Sequence, residues 1–96
     1  MDINDIQARQ GKIDVVGKII DLEEIREFNK NNGKLRVCNA KFGDKSGEIK
    51  LTLWNDEIDK VKVGDTIKII NGYCGEYQGE RQLSAGKFGK LEVVEK

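Results

Sequence analysis

Apolar residues in this chain recur mostly at every second position, as expected of half-buried strands, whose side chains alternate sides with period two. In "EIKLTLW" (48–54), Ile49, Leu51 and Leu53 share one side, and Lys50, Thr52 and Trp54 the other. "KIDVVGKIIDLEEI", Lys12 to Ile25, has apolar residues at both parities and Gly17 in its middle. This predicts a long first strand that bends at a barrel corner or bulge. After a polar loop, "NKNNG" (29–33), "KLRVCNAKF" reads as the second strand, and "GDKSG" as a tight turn leading into "EIKLTLW", the third. "TIKIINGYCGEY" is the fourth, and Gly79 in "YQGE" can take the positive φ of a hairpin turn. "RQLSAG" and "KLEVVEK" make the fifth strand, interrupted by "GKFG".

Two stretches depart from this period. "DINDIQARQ" (2–10) predicts a short helical segment starting near Asp2 or Asn4. "NDEIDKVKVGD" predicts one or two helical turns, with Asn55 or Asp56 as N-cap and Ile58 and Val61 three apart. Five strands, the first bent, with a short helix between the third and fourth, define an all-β class: the five-stranded Greek-key barrel called the OB-fold. Closure also removes unpaired strand edges. An SH3-like barrel has similar strand content but no helical insert at that place. The expected organisation is one OB-fold domain over residues 1–96, either a whole protein or one domain of a longer multi-OB chain.

Composition narrows the chemistry. The hydrophobic share of 38% and charged share of 35% are those of a soluble globular chain. Seventeen basic and seventeen acidic residues cancel, so no whole-molecule field draws in a polyanion, and any nucleic-acid affinity rests on local grouping. Cys38 and Cys74 have no CxxC spacing and the chain has no histidine, so no metal site and no cofactor are expected; both cysteines read as buried apolar residues. The absence of histidine removes the commonest general base, and the acidic pairs Glu23–Glu24 and Asp56–Glu57 read as solvated charge, not a catalytic dyad. No catalytic residue, nucleophile elbow or P-loop is found. "GKFG" matches the clamp of KH domains and "GKFGKLEV" approaches an RRM signature, but both need helices that this pattern lacks. No stretch is apolar enough to span a bilayer and no secretory signal is visible, so a cytoplasmic protein without membrane or small-molecule partner is expected.

If Ile49, Leu51 and Leu53 fill the barrel, Trp54 lies outside with Lys50, on the strands that carry the binding surface of an OB-fold. An exposed indole beside ammonium groups can stack on a base while the lysines meet phosphates. A covering loop or N-terminal segment is the alternative for Trp54. A bulge at Gly72 would turn Tyr73 and Tyr77 outward and Cys74 inward, setting Trp54, Tyr73 and Tyr77 along one groove wall. Tyrosines packed partly in the core are the alternative there. Leu83 faces inward, leaving Gln82 and Ser84 outside. Arg36, Lys50, Arg81 and Lys87 are the candidate basic residues of the same side. Arg26, Lys30 and Lys34 flank the first loop, where Phe28 is the aromatic, and that loop can close over a bound strand. Phe42 reads as core, and Phe88 as a lid or core residue of the last strand.

"GDKSGEIKLTLWND" and "KVGDTIKIINGYCGEYQGERQL", in this order and at close spacing, resemble an OB-fold domain of archaeal replication protein A, and more distantly the short single-stranded DNA-binding proteins related to it. The resemblance runs from about Ile3 to Val94. It implies sequence-tolerant binding of single-stranded DNA in replication, recombination and repair, without enzymatic activity. It further implies Trp54 as the stacking aromatic at the end of the third strand, with Tyr73 and Tyr77 at the aromatic positions of the "NGYxxxY/F" stretch. Arg36, Lys50 and Lys87 match basic or polar groove positions. The chain departs at Ser84, where some relatives carry another aromatic, and Glu80 beside Arg81 partly neutralises that end. Two further readings are an assembly module that contacts other OB-fold domains or subunits of the same complex, and an RNA-binding OB-fold.

Overall fold

The computed structural model describes residues 2–30, 33–85 and 89–95. Alternation in the third predicted strand resolves as its pattern dictates: Ile49, Leu51 and Leu53 are buried, and Trp54 is exposed. Seven strands follow in chain order: β1 (Gln10–Leu22), β2 (Arg26–Lys30), β3 (Gly33–Asp44), β4 (Gly47–Trp54), β5 (Thr66–Tyr77), β6 (Glu80–Ser84) and β7 (Lys90–Glu95), with one helix, α1 (Asp56–Lys60), between β4 and β5. Strands pair in the order β1-β3-β4-β6-β5, and β1 pairs with β5 to close a five-stranded barrel. The β4–β6 contact is parallel and the others are antiparallel. β2 extends the sheet beyond β3, and β7 extends it beside β5. The OB-fold expectation therefore holds, with two added strands.

β1 changes partners where the bend was expected. Residues up to Lys18 pair with β5, and residues from Lys18 to Leu22 pair with β3. A Cβ on Gly17 would lie 2.8 Å from the Gly43 carbonyl oxygen and 2.9 Å from Phe42 Cζ, so only glycine lets the two strands close there. The inward face does not switch at this corner. Ile13, Val15, Gly17 and Ile19 all face in, Val16 and Ile20 face out, and beyond the corner the phase slips at the irregularity between Ile19 and Asp21.

Opposite ends of β4 are covered by different segments. At the Gly47 end, the expected N-terminal helix is one 3-10 turn, Ile3–Asp5, which delivers Ile3 and Ile6 into the core. The Asp44 carboxylate fixes this turn by accepting from the Ile3 amide at 2.9 Å and the Ser46 amide at 2.7 Å. Burial raises the Asp44 pKa, but the hydrogen bonds from Ser46, Ile3 and Gly47 outweigh it and hold the group below the usual carboxylate range. At the Trp54 end, α1 supplies Ile58 to the core and Val61 follows it. Asn55 occupies the N-cap position without a capping bond; its Oδ1 accepts from the Arg36 amide at 3.0 Å. Phe42, Cys38 and Cys74 are buried, as the pattern required, and both cysteines are free thiols.

β2 corrects the reading of residues 26–30 as strand end and loop: Arg26 to Lys30 pair in unbroken register with Val37 to Gly33. "REFNK" has no apolar alternation because, as an edge strand, it is held by backbone bonds to β3 and covers none of the core.

Candidate nucleic-acid interface

Register decides which side chains share the outer face, because directly opposed residues of paired strands project to the same side. Trp54 lies opposite Val37, and Val37 opposite Arg26. Thr52 lies opposite Asn39, and Lys50 opposite both Lys41 and Gln82. On the far strand, Gln82 faces Gly75, Ser84 faces Tyr73, and Glu80 faces Tyr77. One continuous outer surface thus runs from β2 across β3, β4 and β6 to β5.

A bulge in β5 sets the tyrosines on this surface. Ile13 opposes Gly72 while Val15 opposes Ile69, so β5 advances three residues where β1 advances two. Asn71 absorbs the extra residue at φ 56°, and its amide donates to Asp14 Oδ1 at 2.8 Å. Gly72 then faces inward, where a Cβ would meet Ile69 Cγ2 at 2.6 Å and the Ser84 carbonyl oxygen at 2.9 Å. The phase change turns Tyr73 and Tyr77 out and Cys74 in.

Trp54, Tyr73 and Tyr77 line one open cavity of about 260 Å³, floored by Thr52, Gly75, Gln82 and Ser84, with Glu76 at its margin. Their exposures are 38%, 50% and 61%, so each ring is exposed toward solvent. Among the described residues, neither the N-terminal segment nor a loop seals the indole. Its position is fixed from behind: the Trp54 amide donates to Glu57 Oε1 at 3.0 Å, and the Asn55 amide to the Arg36 carbonyl at 2.9 Å. Burial pushes the Glu57 carboxyl up, against the lowering effects of the Trp54 amide and Lys60.

The nominated cations divide. Lys50 and Arg26 stand on the groove face by register. Arg36 shares parity with the inward Cys38, so its guanidinium turns toward α1, 2.7 Å from Asp59 Oδ2 and 3.2 Å from the Asn55 carbonyl. The hydrogen bond and charge of Asp59 raise the Arg36 pKa, and Arg36 in turn lowers that of Asp59. Arg81 shares parity with the inward Leu83 and donates to the carbonyls of Ile3 and Ile6, bracing the N-terminal segment instead of lining the groove. Lys34 shares Arg36's parity, off the groove face, and lies 4.0 Å from Glu27. In both corrected arginines the controlling signal was parity relative to a neighbouring core residue. Phe28, opposite Leu35, extends the outer face on β2 at 47% exposure, but does not line the aromatic cavity. Lys87 and Phe88 lie outside the described residues. Asn39 and Lys41 were missed, although both alternate with the inward Cys38, Ala40 and Phe42.

Beyond the aromatic cavity, a second concavity of about 420 Å³ is lined by Lys41, Lys50, Glu80, Asp21, Glu23 and Glu48. Lys50 Nζ lies 3.3 Å from Glu80 Oε2. Among the described residues no group of acidic, cysteine or histidine side chains suits a metal ion, and no helix is long and apolar enough to cross a membrane.

Comparisons with known proteins find relatives over most of the chain. The single-stranded DNA binding protein Ssb of Saccharolobus solfataricus is 28% identical over 89 residues, covering 93% of this chain and 60% of the relative. Replication factor A of Methanothermobacter thermautotrophicus is 33% identical over 93 residues, covering 94% of this chain but 12% of the relative. The chain therefore spans less than two thirds of either relative. Among solved structures, a domain of replication protein A from Methanococcus maripaludis superposes with a TM-score of 0.80 at 24% identity, covering 100% of this chain and 96% of that one. That match shows the shared fold. The family described as "Single-stranded DNA binding protein Ssb-like, OB fold" matches residues 6–93, and the chain belongs to it.

Proposed function

We propose that this domain binds single-stranded DNA with little sequence preference and performs no catalysis. The observation that carries the reading is the convergence of Trp54, Tyr73 and Tyr77 around one open cavity on the outer face of a closed barrel. Every base has a π-face, so stacking on such rings tolerates sequence and contributes about 1–3 kcal/mol per base. Lys50 and Arg26 on the same face, with Lys87 beyond the described residues, supply the phosphate contacts. Arg36 and Arg81 act indirectly, bracing α1 behind Trp54 and the N-terminal segment behind β6. The family's relatives support a role in DNA replication, and recombination and repair use the same single-stranded substrate.

With zero net charge and few cations on the face among the described residues, binding by this domain alone is weak and its salt dependence shallow. Tight binding then comes from linked OB-fold domains or subunits, through effective concentration. The exposure of Val16, Ile20 and Val94, none of which lines either groove cavity, favours such an assembly contact as a second role. Titration with oligo(dT) should quench Trp54 emission, and competition with matched RNA should show DNA preference or parity. Emission that stays constant at high oligonucleotide concentration would sink the stacking reading, and sedimentation of the chain with and without its neighbouring domains tests assembly.

A further inference from the structure

Three ion pairs among the described residues share a feature. Each of Lys34, Arg36 and Lys50 has its own carboxylate, in Glu27, Asp59 and Glu80. Only the Lys50 pair lies on the groove face, in the concavity adjoining the aromatic cavity. Lys41 stands directly opposite Lys50 on β3, and like charges so placed repel. Strand register sets Lys41 and Lys50 side by side in a concavity that Asp21, Glu23, Glu48 and Glu80 also line, and of these carboxylates Glu80 is the one ion-paired with Lys50.

We propose that Lys41 and Lys50 form a phosphate subsite which Glu80 occupies in the free protein and yields to the DNA backbone. This rests on the reading of the domain as a single-stranded DNA binder. The Lys50 side chain is 33% exposed and that of Glu80 67%, so the lysine is fixed against the sheet while the carboxylate is mostly solvated and cheap to release. Glu80 also ends the hairpin turn through Gln78 and Gly79, both at positive φ, and stands opposite Tyr77. A base on Tyr77 therefore carries its phosphate toward the position that Glu80 holds. The chain supplies a competitor for its own ligand, and this competition keeps the isolated site weak.

The test measures anisotropy of labelled oligo(dT) over a salt series with the wild-type domain, Glu80→Gln, Lys50→Gln, the Glu80→Gln/Lys50→Gln double variant, and Glu92→Gln as an equal charge change on exposed β7. Glu80→Gln should tighten binding roughly two- to five-fold at low salt. It should also steepen the salt slope by up to about one ion, because the released Glu80 no longer takes up a cation. Glu92→Gln should do less, and the gain should vanish when Lys50 is absent. Lys41→Gln should weaken binding and lessen the gain. An equal gain from Glu92→Gln, or a gain that survives Lys50→Gln, makes the effect one of general charge and overturns the subsite while leaving DNA binding intact. No binding by any of these chains overturns both readings.

Discussion

The two halves of the outer face are built differently. In the aromatic half, strand register, the Asn71 bulge and the hydrogen bond from the Trp54 amide to the Glu57 carboxylate place three rings that are left open to solvent. In the charged half, Lys50 already has a carboxylate partner within 3.3 Å. The first half is preorganised for a ligand, and the second must be vacated before it accepts one. Affinity should therefore follow stacking more than charge, unlike the strong salt dependence usual for sites that bind single strands without reading sequence.

The sharpest way to break this comparison is Trp54→Ala. It should weaken oligo(dT) binding by about 1–3 kcal/mol, read by anisotropy, with little change in melting temperature. A smaller loss than that of Lys50→Gln would reverse the ranking of the halves. Gly72→Ala comes next. The added methyl meets backbone at 2.9 Å and should cost about 1–3 kcal/mol in denaturant unfolding, and the displaced strand should weaken binding through Tyr73. Unaltered stability would mean that β5 relaxes without needing glycine.

Acid should then separate the two ends of β4. Asp44, at the charged end, has a lowered pKa in the fold. Its stabilising contribution is present above the unfolded carboxylate value of about 3.9 and is lost as pH falls through the lower folded value. Asp44→Ala should lower the melting temperature at pH 7 and flatten its fall below about pH 4. Glu57, at the aromatic end, has a raised pKa, so its charged form opposes folding at neutral pH, and that penalty fades as pH drops from the folded value toward about 4.3. Glu57→Gln keeps an acceptor for the Trp54 amide and should stabilise by a few tenths of a kcal/mol at pH 7, after solvent screening. A loss of stability instead would show that the carboxylate charge itself holds that amide.

Most of the barrel was legible because its strands bury one face each, and alternation reports burial directly. β2 was not, since an edge strand without a core face leaves no such trace in "REFNK". The outward turn of Tyr73 was readable from Gly72, although the extra residue is absorbed at Asn71 and the glycine serves close packing. Arg36 and Arg81 were misplaced because positive charge was read as groove-facing, whereas their parity with Cys38 and Leu83 sends them to the other side. Partners such as Asp59 and the Ile3 and Ile6 carbonyls depend on tertiary approach and have no local signature.

The parallel junction of β4 and β6 consists of two opposed pairs, Lys50 with Gln82 and Leu51 with Leu83. Contacts so distant along the chain are made late in folding, since loop-closure entropy must be met first. The tryptophan and the tyrosines lie on opposite sides of this seam, so ligand recognition is a property of the finished barrel, and a fragment ending before Glu80 retains all three aromatic residues but not β6, the strand that joins β4 to β5. Slow amide exchange at Leu51 and Leu83, lost together with oligonucleotide binding in mild denaturant, would be the sign of that dependence.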